Sequence, residues 1–130
     1  MIREINGSIY VIKKHNGKQI SQPLAAAETE TAAELSESEH NLRSLVERVK
    51  TAERLVARAV VDGTDSTTAR AGLADAQQSL ATAMAESDAI RQRLTDYQLA
   101  RINQRANQLD QEQQHRMSEF MNRFTLELSA

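Results

Sequence analysis

The chain of 130 residues contains no cysteine and no tryptophan, and only 3% of its residues are aromatic. The lack of cysteine excludes disulfides, thiolate catalysis and cysteine-based zinc sites. Few large side chains are present to fill a thick globular core, whereas alanine, which supplies much of the apolar content, suits closely packed helices. The length fits one domain.

Proline and glycine are also scarce, with one proline, Pro23, and four glycines. No apolar run approaches the ~20 residues of a membrane span, and residues 1–12 lack the continuous apolar segment of a signal peptide. We therefore expect a cytoplasmic protein that does not enter a membrane. The net charge of −2 creates no general attraction to nucleic acid.

Apolar and small residues recur every three or four positions through two long segments, which is typical of a coiled-coil seam. In the first segment they are Leu35, Leu42, Val49 and Val56, interleaved with Thr31, Ser38, Leu45, Ala52 and Ala59. In the second they are Leu73, Ala76, Leu80, Ala83, Ser87, Ile90, Leu94 and Tyr97.

The two segments are separated by a glycine-bearing break at residues 62–66. The pattern predicts a helix over 23–61, a turn over 62–66 and a helix over 67–129, folded back as an antiparallel hairpin. Gly63 is expected to end the first helix in the left-handed conformation, and Asp65 or Ser66 to cap the second. Charge supports this arrangement, because residues 24–40 carry five glutamates and no lysine or arginine, and lie opposite Arg91 and Arg93 in the hairpin.

The first 22 residues are rich in isoleucine and contain two Asn-Gly pairs, Asn6-Gly7 and Asn16-Gly17. Asn-Gly is the preferred pair of a type I′ hairpin turn, so we expect strands near 2–5, 8–15 and 18–22. Two-residue turns place Ile2 opposite Val11 and Ile20 opposite Lys13. Ser21 and Pro23 are expected to mark the entry to the first helix as cap and first-turn proline.

The predicted fold class is mainly α, a long antiparallel helical hairpin (coiled coil) with a small N-terminal antiparallel β-meander. The meander is residues 1–22 and the hairpin residues 23–130, as one structural unit. The apolar register shifts near 97–102, about where the first helix begins on the opposite side of the hairpin, so the second helix must pack on something else beyond that point. The shifted stripe is Ile102, Ala106, Leu109, Gln113, Met117, Phe120 and Phe124.

Two Glu-x-x-His motifs, Glu37 with His40 and Glu112 with His115, resemble those of di-iron helical bundles. The hairpin would separate the histidines by roughly 40 Å, so we expect no metal site and no cofactor. The sequence has neither a glycine-rich phosphate loop nor a placeable Ser-His-Asp set, so we expect no enzyme. A basic hairpin tip could contact phosphate, although lysines there also protect sheet edges; its residues are Lys13, Lys14 and Lys18.

Apolar residues are concentrated near the C-terminus: Met117, Phe120, Met121, Phe124 and Leu128. They are candidates for packing on the meander, for contact with a second copy, or for docking another protein. The predicted function is protein–protein interaction without catalysis, as an adaptor, chaperone or structural component of a larger assembly that self-associates as a dimer. The alternatives are a small inhibitor that occupies a partner's surface and a nucleic-acid accessory protein that uses the basic tip.

Overall fold

A computed structural model describes residues 1–129. The elements follow one another as β1 (Ile2–Ile5), β2 (Ser8–His15), β3 (Lys18–Pro23), α1 (Leu24–Val61) and α2 (Thr67–Ser129). The predicted fold class, two packed antiparallel helices with a small antiparallel sheet, is confirmed.

The sheet has the predicted topology and register, with strand order β1-β2-β3. Ile2 pairs with Val11 and Ile20 with Lys13. Both Asn-Gly turns have positive φ at both central residues, 52° and 81° at residues 6 and 7 and 51° and 75° at residues 16 and 17. This is the type I′ geometry that Asn-Gly favours.

The entry to α1 differs from the prediction. Ser21 pairs with Ile12 and Pro23 with Tyr10, so both belong to β3 and the helix begins one residue later, at Leu24. Ser21 is therefore not the helix cap, because the sheet pairing continues two residues beyond it. Pro23 is tolerated as the last residue of a strand that lies at the sheet edge.

The chain forms two compact units, and the first consists of Glu28–Thr95. Within it α1 and α2 pack side by side, and every predicted seam residue between 31 and 94 is buried or half-buried. The most buried are small: Thr31, Ala76, Ala83 and Ser87. Small side chains at the seam let the two helix backbones approach closely, which explains the alanine-rich composition.

Polar contacts across this unit show the antiparallel register. Arg93 donates to Glu34 at 3.1 Å, and Arg91 lies 3.5 Å from Glu39. The hydroxyls of Ser38 and Ser87 hydrogen-bond to each other. These ion pairs join the acidic start of α1 to the arginines predicted to face it. Each is substantially exposed, so it contributes only ~0–1 kcal/mol, and the apolar seam supplies the main stabilisation.

The helical turn has the predicted caps. The Thr64 N–H donates to Ala59 O at 3.0 Å and the Gly63 N–H to Val60 O at 3.3 Å, which is a Schellman motif with glycine in the left-handed conformation at φ 68°. Asp65 accepts bonds from the Thr67 N–H at 2.9 Å and the Thr67 hydroxyl at 2.6 Å. The hydroxyl bond, followed by the backbone bond, lowers the pKa of the Asp65 carboxyl.

Two glycine substitutions are expected to shift stability in opposite directions. Gly63→Ala should lower the free energy of unfolding by about 1 kcal/mol, because an L-residue is strained at positive φ. Gly72→Ala should raise it by about 0.8 kcal/mol, because alanine is the better helix former. A Cβ at either position meets no atom within 4 Å, so packing does not enter the comparison. Urea unfolding of both variants measures the two shifts, and equal signs would contradict the assigned turn geometry.

The second compact unit joins Met1–Ala27 to the part of α2 from Asp96 onward. Its core is small, formed by Val11, Leu24, Ala27 and Tyr97, with Ile9 and Ala100 packed against it. Ile9 and Val11 are two residues apart on β2, so their side chains lie on the same face of the sheet. That face covers the first turn of α1 and one side of α2.

Candidate interaction surface

Only one side of α2 contacts the meander. Tyr97 is buried, Ala100 is half-buried, and Gln104 donates through Nε2 to the Gly7 carbonyl oxygen at 2.8 Å. These residues are three or four apart and share one helical face. Gln104 is the last half-buried residue, and positions 105–128 are all exposed.

The shifted apolar stripe lies on the other side of the helix. At 3.6 residues per turn, its members lie about 120° to 220° around the helix axis from Tyr97. We define the C-terminal stripe as Ile102, Ala106, Leu109, Gln113, Met117, Phe120, Phe124 and Leu128. The register change predicted near 97–102 thus marks the point where apolar residues move to the face opposite the meander.

The large apolar members of the C-terminal stripe are about half to three-quarters exposed: Ile102 57%, Leu109 48%, Met117 61%, Phe120 63%, Phe124 49% and Leu128 73%. Met121, beside the stripe, is also about half exposed. Within residues 1–129, no other element covers these side chains. The rings of Phe120 and Phe124 stack on each other, with centroids 6.5 Å apart and planes at 15°, so they form one continuous aromatic surface.

The spacing within the C-terminal stripe repeats every 11 residues. Ala106 precedes Met117 by 11 positions, Leu109 precedes Phe120, and Gln113 precedes Phe124. Eleven residues make three turns at about 3.67 residues per turn, close to the 3.6 of a straight helix. The stripe therefore follows the helix axis with little drift. Sequence reasoning found its members but missed this period, which the polar residue Gln113 obscures.

One border of the stripe carries charges of alternating sign, and the other is nearly neutral. The charged border runs Glu112, Arg116, Glu119 and Arg123. Oε1 of Glu119 lies 3.1 Å from Nε2 of His115, one turn earlier on the same helix. The opposite border has a single charge, and its residues are Asn103, Asp110, Gln114, Met121 and Thr125.

The predicted basic tip divides between the two faces of the sheet. Lys13 pairs with Ile20, and Lys18 with His15, so both lysines lie on the Val11 face. Lys14 pairs with Gln19 and lies on the other face. The turn therefore does not present its three lysines as one continuous basic surface.

The two Glu-x-x-His motifs lie on separate compact units. His40 and Glu37 line a shallow groove of about 530 Å³ along the hairpin, together with Glu34 and Glu86. His115 faces its neighbour Glu119 instead. Among residues 1–129, no three or more acidic or histidine side chains are grouped so that they could hold a metal ion.

An apolar groove of about 460 Å³ lies near the turn of the hairpin and includes Ala52, Leu55, Ala69 and Gly72. It is short and holds one large apolar side chain, so it offers much less apolar surface than the C-terminal stripe. No helix in the described part of the chain is long and apolar enough to cross a membrane.

The architecture defines a helical-hairpin protein with a small N-terminal sheet and an extended helical face. Comparisons of the chain with protein-family models, curated proteins and solved structures found no match.

Proposed function

We propose that this protein acts through protein–protein contacts made by the C-terminal stripe, without catalysis, and that it self-associates. The observation that carries the proposal is the exposed apolar surface along one face of α2, which includes both phenylalanines of the chain. Monomeric proteins rarely leave a continuous apolar patch of more than a few hundred Å² facing water. Phenylalanine and methionine are also enriched at protein interfaces.

The role that fits this surface is a structural component or adaptor of a larger assembly. A long helix can present its stripe far from the meander, since 1.5 Å per residue carries residues 105–128 about 35 Å along the helix axis. In the inhibitor alternative, the same stripe would bind the surface of another protein and block it. A cytoplasmic location belongs to the proposal and rests on the sequence composition alone.

The nucleic-acid alternative has less support, because the lysines of the basic tip lie on two faces of the sheet. It would require tight DNA binding that weakens steeply with salt, since each phosphate contact releases a counterion. Loss of such binding in the Lys13→Glu, Lys14→Glu double variant would favour this alternative over ours.

Sedimentation equilibrium tests the proposal. The wild-type protein should sediment with twice its chain mass of 14.5 kDa, and the Phe120→Ser, Phe124→Ser variant should dissociate about 100-fold more readily. Each dimer of the variant loses four aromatic anchors, which often dominate binding energy. Neither ring belongs to the buried core, so the variant protomer should keep its fold.

The matched control replaces two apolar residues with similar exposure on α1. Leu55 and Val60 are 55% and 58% exposed, so Leu55→Ser, Val60→Ser removes comparable apolar surface outside the stripe. Its self-association should match that of the wild type. A wild-type protein that stays monomeric at millimolar concentration would contradict self-association, and equal weakening by both variants would contradict the role of the stripe.

A further inference from the structure

The charges beside the C-terminal stripe indicate which kind of partner would bind it. Resting on the proposed function, we infer that the stripe binds the same stripe of a second copy of this chain, with the two α2 helices antiparallel and a two-fold axis beside Met117. The inference depends on three features of α2: the alternating charges, the spacing of the apolar residues and the difference between the two borders.

The charged border is complementary to itself when its direction is reversed. From Glu112 through Arg116 and Glu119 to Arg123 the signs run negative, positive, negative, positive. Antiparallel helices bring the same border of both copies together. Reversal about the point between residues 117 and 118 places Arg116 opposite Glu119 of the second copy, and Glu112 opposite Arg123. The symmetry makes each pair twice, so four opposite-charge pairs form and no like charges meet.

The apolar residues of the two copies also pair in layers when one helix is reversed about almost the same point. Met117 meets its own copy, Leu109 meets Phe124 of the second copy, and Ala106 meets Leu128. Gln113 lies level with Phe120, so two of these layers set a small or polar side chain against a large one. The paired segments, residues 106–128 of each copy, overlap over about 34 Å. The apolar layers and the charge pairs thus select one register independently.

A parallel pair would match these features poorly. In parallel helices, the charged border of one copy faces the opposite border of the other. That border offers Arg116, Glu119 and Arg123 only neutral neighbours. Its one acidic residue, Asp110, could pair only with Arg105. The charges therefore favour the antiparallel orientation, although exposed ion pairs add little affinity and the apolar layers must supply most of it.

The symmetry is that of a closed dimer, and the stripe supplies part of the area that a stable interface needs. A buried phenylalanine removes about 150–250 Å² from water, so the four half-exposed rings supply on the order of 400 Å² of the 1,200–2,000 Å² typical of a stable interface. The aliphatic side chains of the stripe add to it. An antiparallel pair of identical segments is isologous and stops at two copies.

Cysteine crosslinking tests the orientation of the two helices. Because the described chain has no native cysteine, only the introduced cysteines can form disulfides. The variants are Ala106→Cys and Leu128→Cys, each made alone. In the antiparallel dimer, position 106 lies beside position 128 of the second copy, whereas the two 106 positions are about 30 Å apart. An oxidised mixture should give a disulfide-linked heterodimer, and each variant alone should stay uncrosslinked. Self-crosslinking of either variant alone would show a parallel pair and overturn the inference.

Charge exchange provides the second test. Arg116→Glu should weaken dimerisation about 5-fold or more, because it places two like-charge pairs across the interface. Glu119→Arg should do the same, and the double variant Arg116→Glu, Glu119→Arg should recover wild-type association at low salt. Arg54→Glu is the matched control, since Arg54 is exposed on α1 in the hairpin unit and lies outside the stripe, and it should have little effect. A double variant as weak as the single ones would overturn the antiparallel register.

The outcomes separate this inference from the proposed function. A dimer that requires Phe120 and Phe124 but self-crosslinks at position 106 keeps the proposed function and overturns the antiparallel pairing. A monomeric wild-type protein without crosslinks overturns the inference together with self-association. A dimer that tolerates loss of both phenylalanines and does not crosslink shows that a different surface pairs, which overturns the inference and the role of the stripe.

Discussion

Replacing Ala76 by aspartate should lower the free energy of unfolding by about 3–5 kcal/mol, the cost of an uncompensated buried charge. Ala76 is 1% exposed and lies on the seam between α1 and α2 in the hairpin unit. The aspartate side chain is too short to carry its carboxylate from the seam to water. Arg48 lines the same groove, but a partly exposed ion pair returns only ~0–1 kcal/mol.

Ala81→Asp is the matched control for this substitution. Ala81 lies on the same helix but is exposed, so the change there costs only the lower helix propensity of aspartate, about 0.7 kcal/mol. Urea unfolding followed by far-UV circular dichroism measures both variants at one protein concentration. Similar losses at the two positions would show that Ala76 does not face α1, and would contradict the assigned seam.

The hairpin could be predicted because its signals are local and repeated. The 3-4 spacing recurs over many turns, so single exceptions do not obscure which face is buried. Gly63 could be assigned to the end of α1 because the Schellman motif requires positive φ, which glycine adopts without strain. The two Asn-Gly pairs similarly determine the β-turn type, and the turn type determines the strand register.

The packing of the meander could not be predicted in the same way. Both faces of its sheet carry apolar residues: Ile9 and Val11 on one, Tyr10 and Ile12 on the other. Alternation shows which residues share a face but not which face is covered. The covered face depends on Leu24 and Tyr97, which are distant in sequence. The one-residue error at Pro23 has a related cause, because the pairing of β3 with β2 extends the strand against the local signals for a helix start.

The C-terminal stripe was predicted only in part. The apolar spacing predicts its members from Ile102 to Phe124 and places the register change near residues 97–102. The side of α2 that the meander occupies became visible only through Tyr97 and Gln104, and it leaves the stripe on the opposite side. The alternating charges beside the stripe could have been found from the sequence, but their meaning depends on knowing that this face is free of the sheet.

Tyr97 connects the helical and sheet parts of the second compact unit, and its removal should have the other large effect on stability. Tyr97→Ala should lower the free energy of unfolding of this unit by about 3–4 kcal/mol, near the lower end of the range for aromatic truncations, because a core this small can partly collapse. The ring is 5% exposed and packs with Val11, Leu24 and Ala27. A three-stranded sheet is marginal without a surface to pack on, so the meander should lose order before the helices do.

Hydrogen exchange gives the residue-level test of this prediction. In Tyr97→Ala, amides of strand β2 should exchange at least 10-fold faster, whereas amides of α1 in the hairpin unit should change little, because weak local packing lowers local opening energies. Leu99→Ala is the matched control: Leu99 is two residues away on the same helix and 52% exposed, and its truncation should leave β2 protected. If β2 kept its protection in Tyr97→Ala, the meander would be stable without this contact, and Tyr97 would not be the residue that holds it on α2.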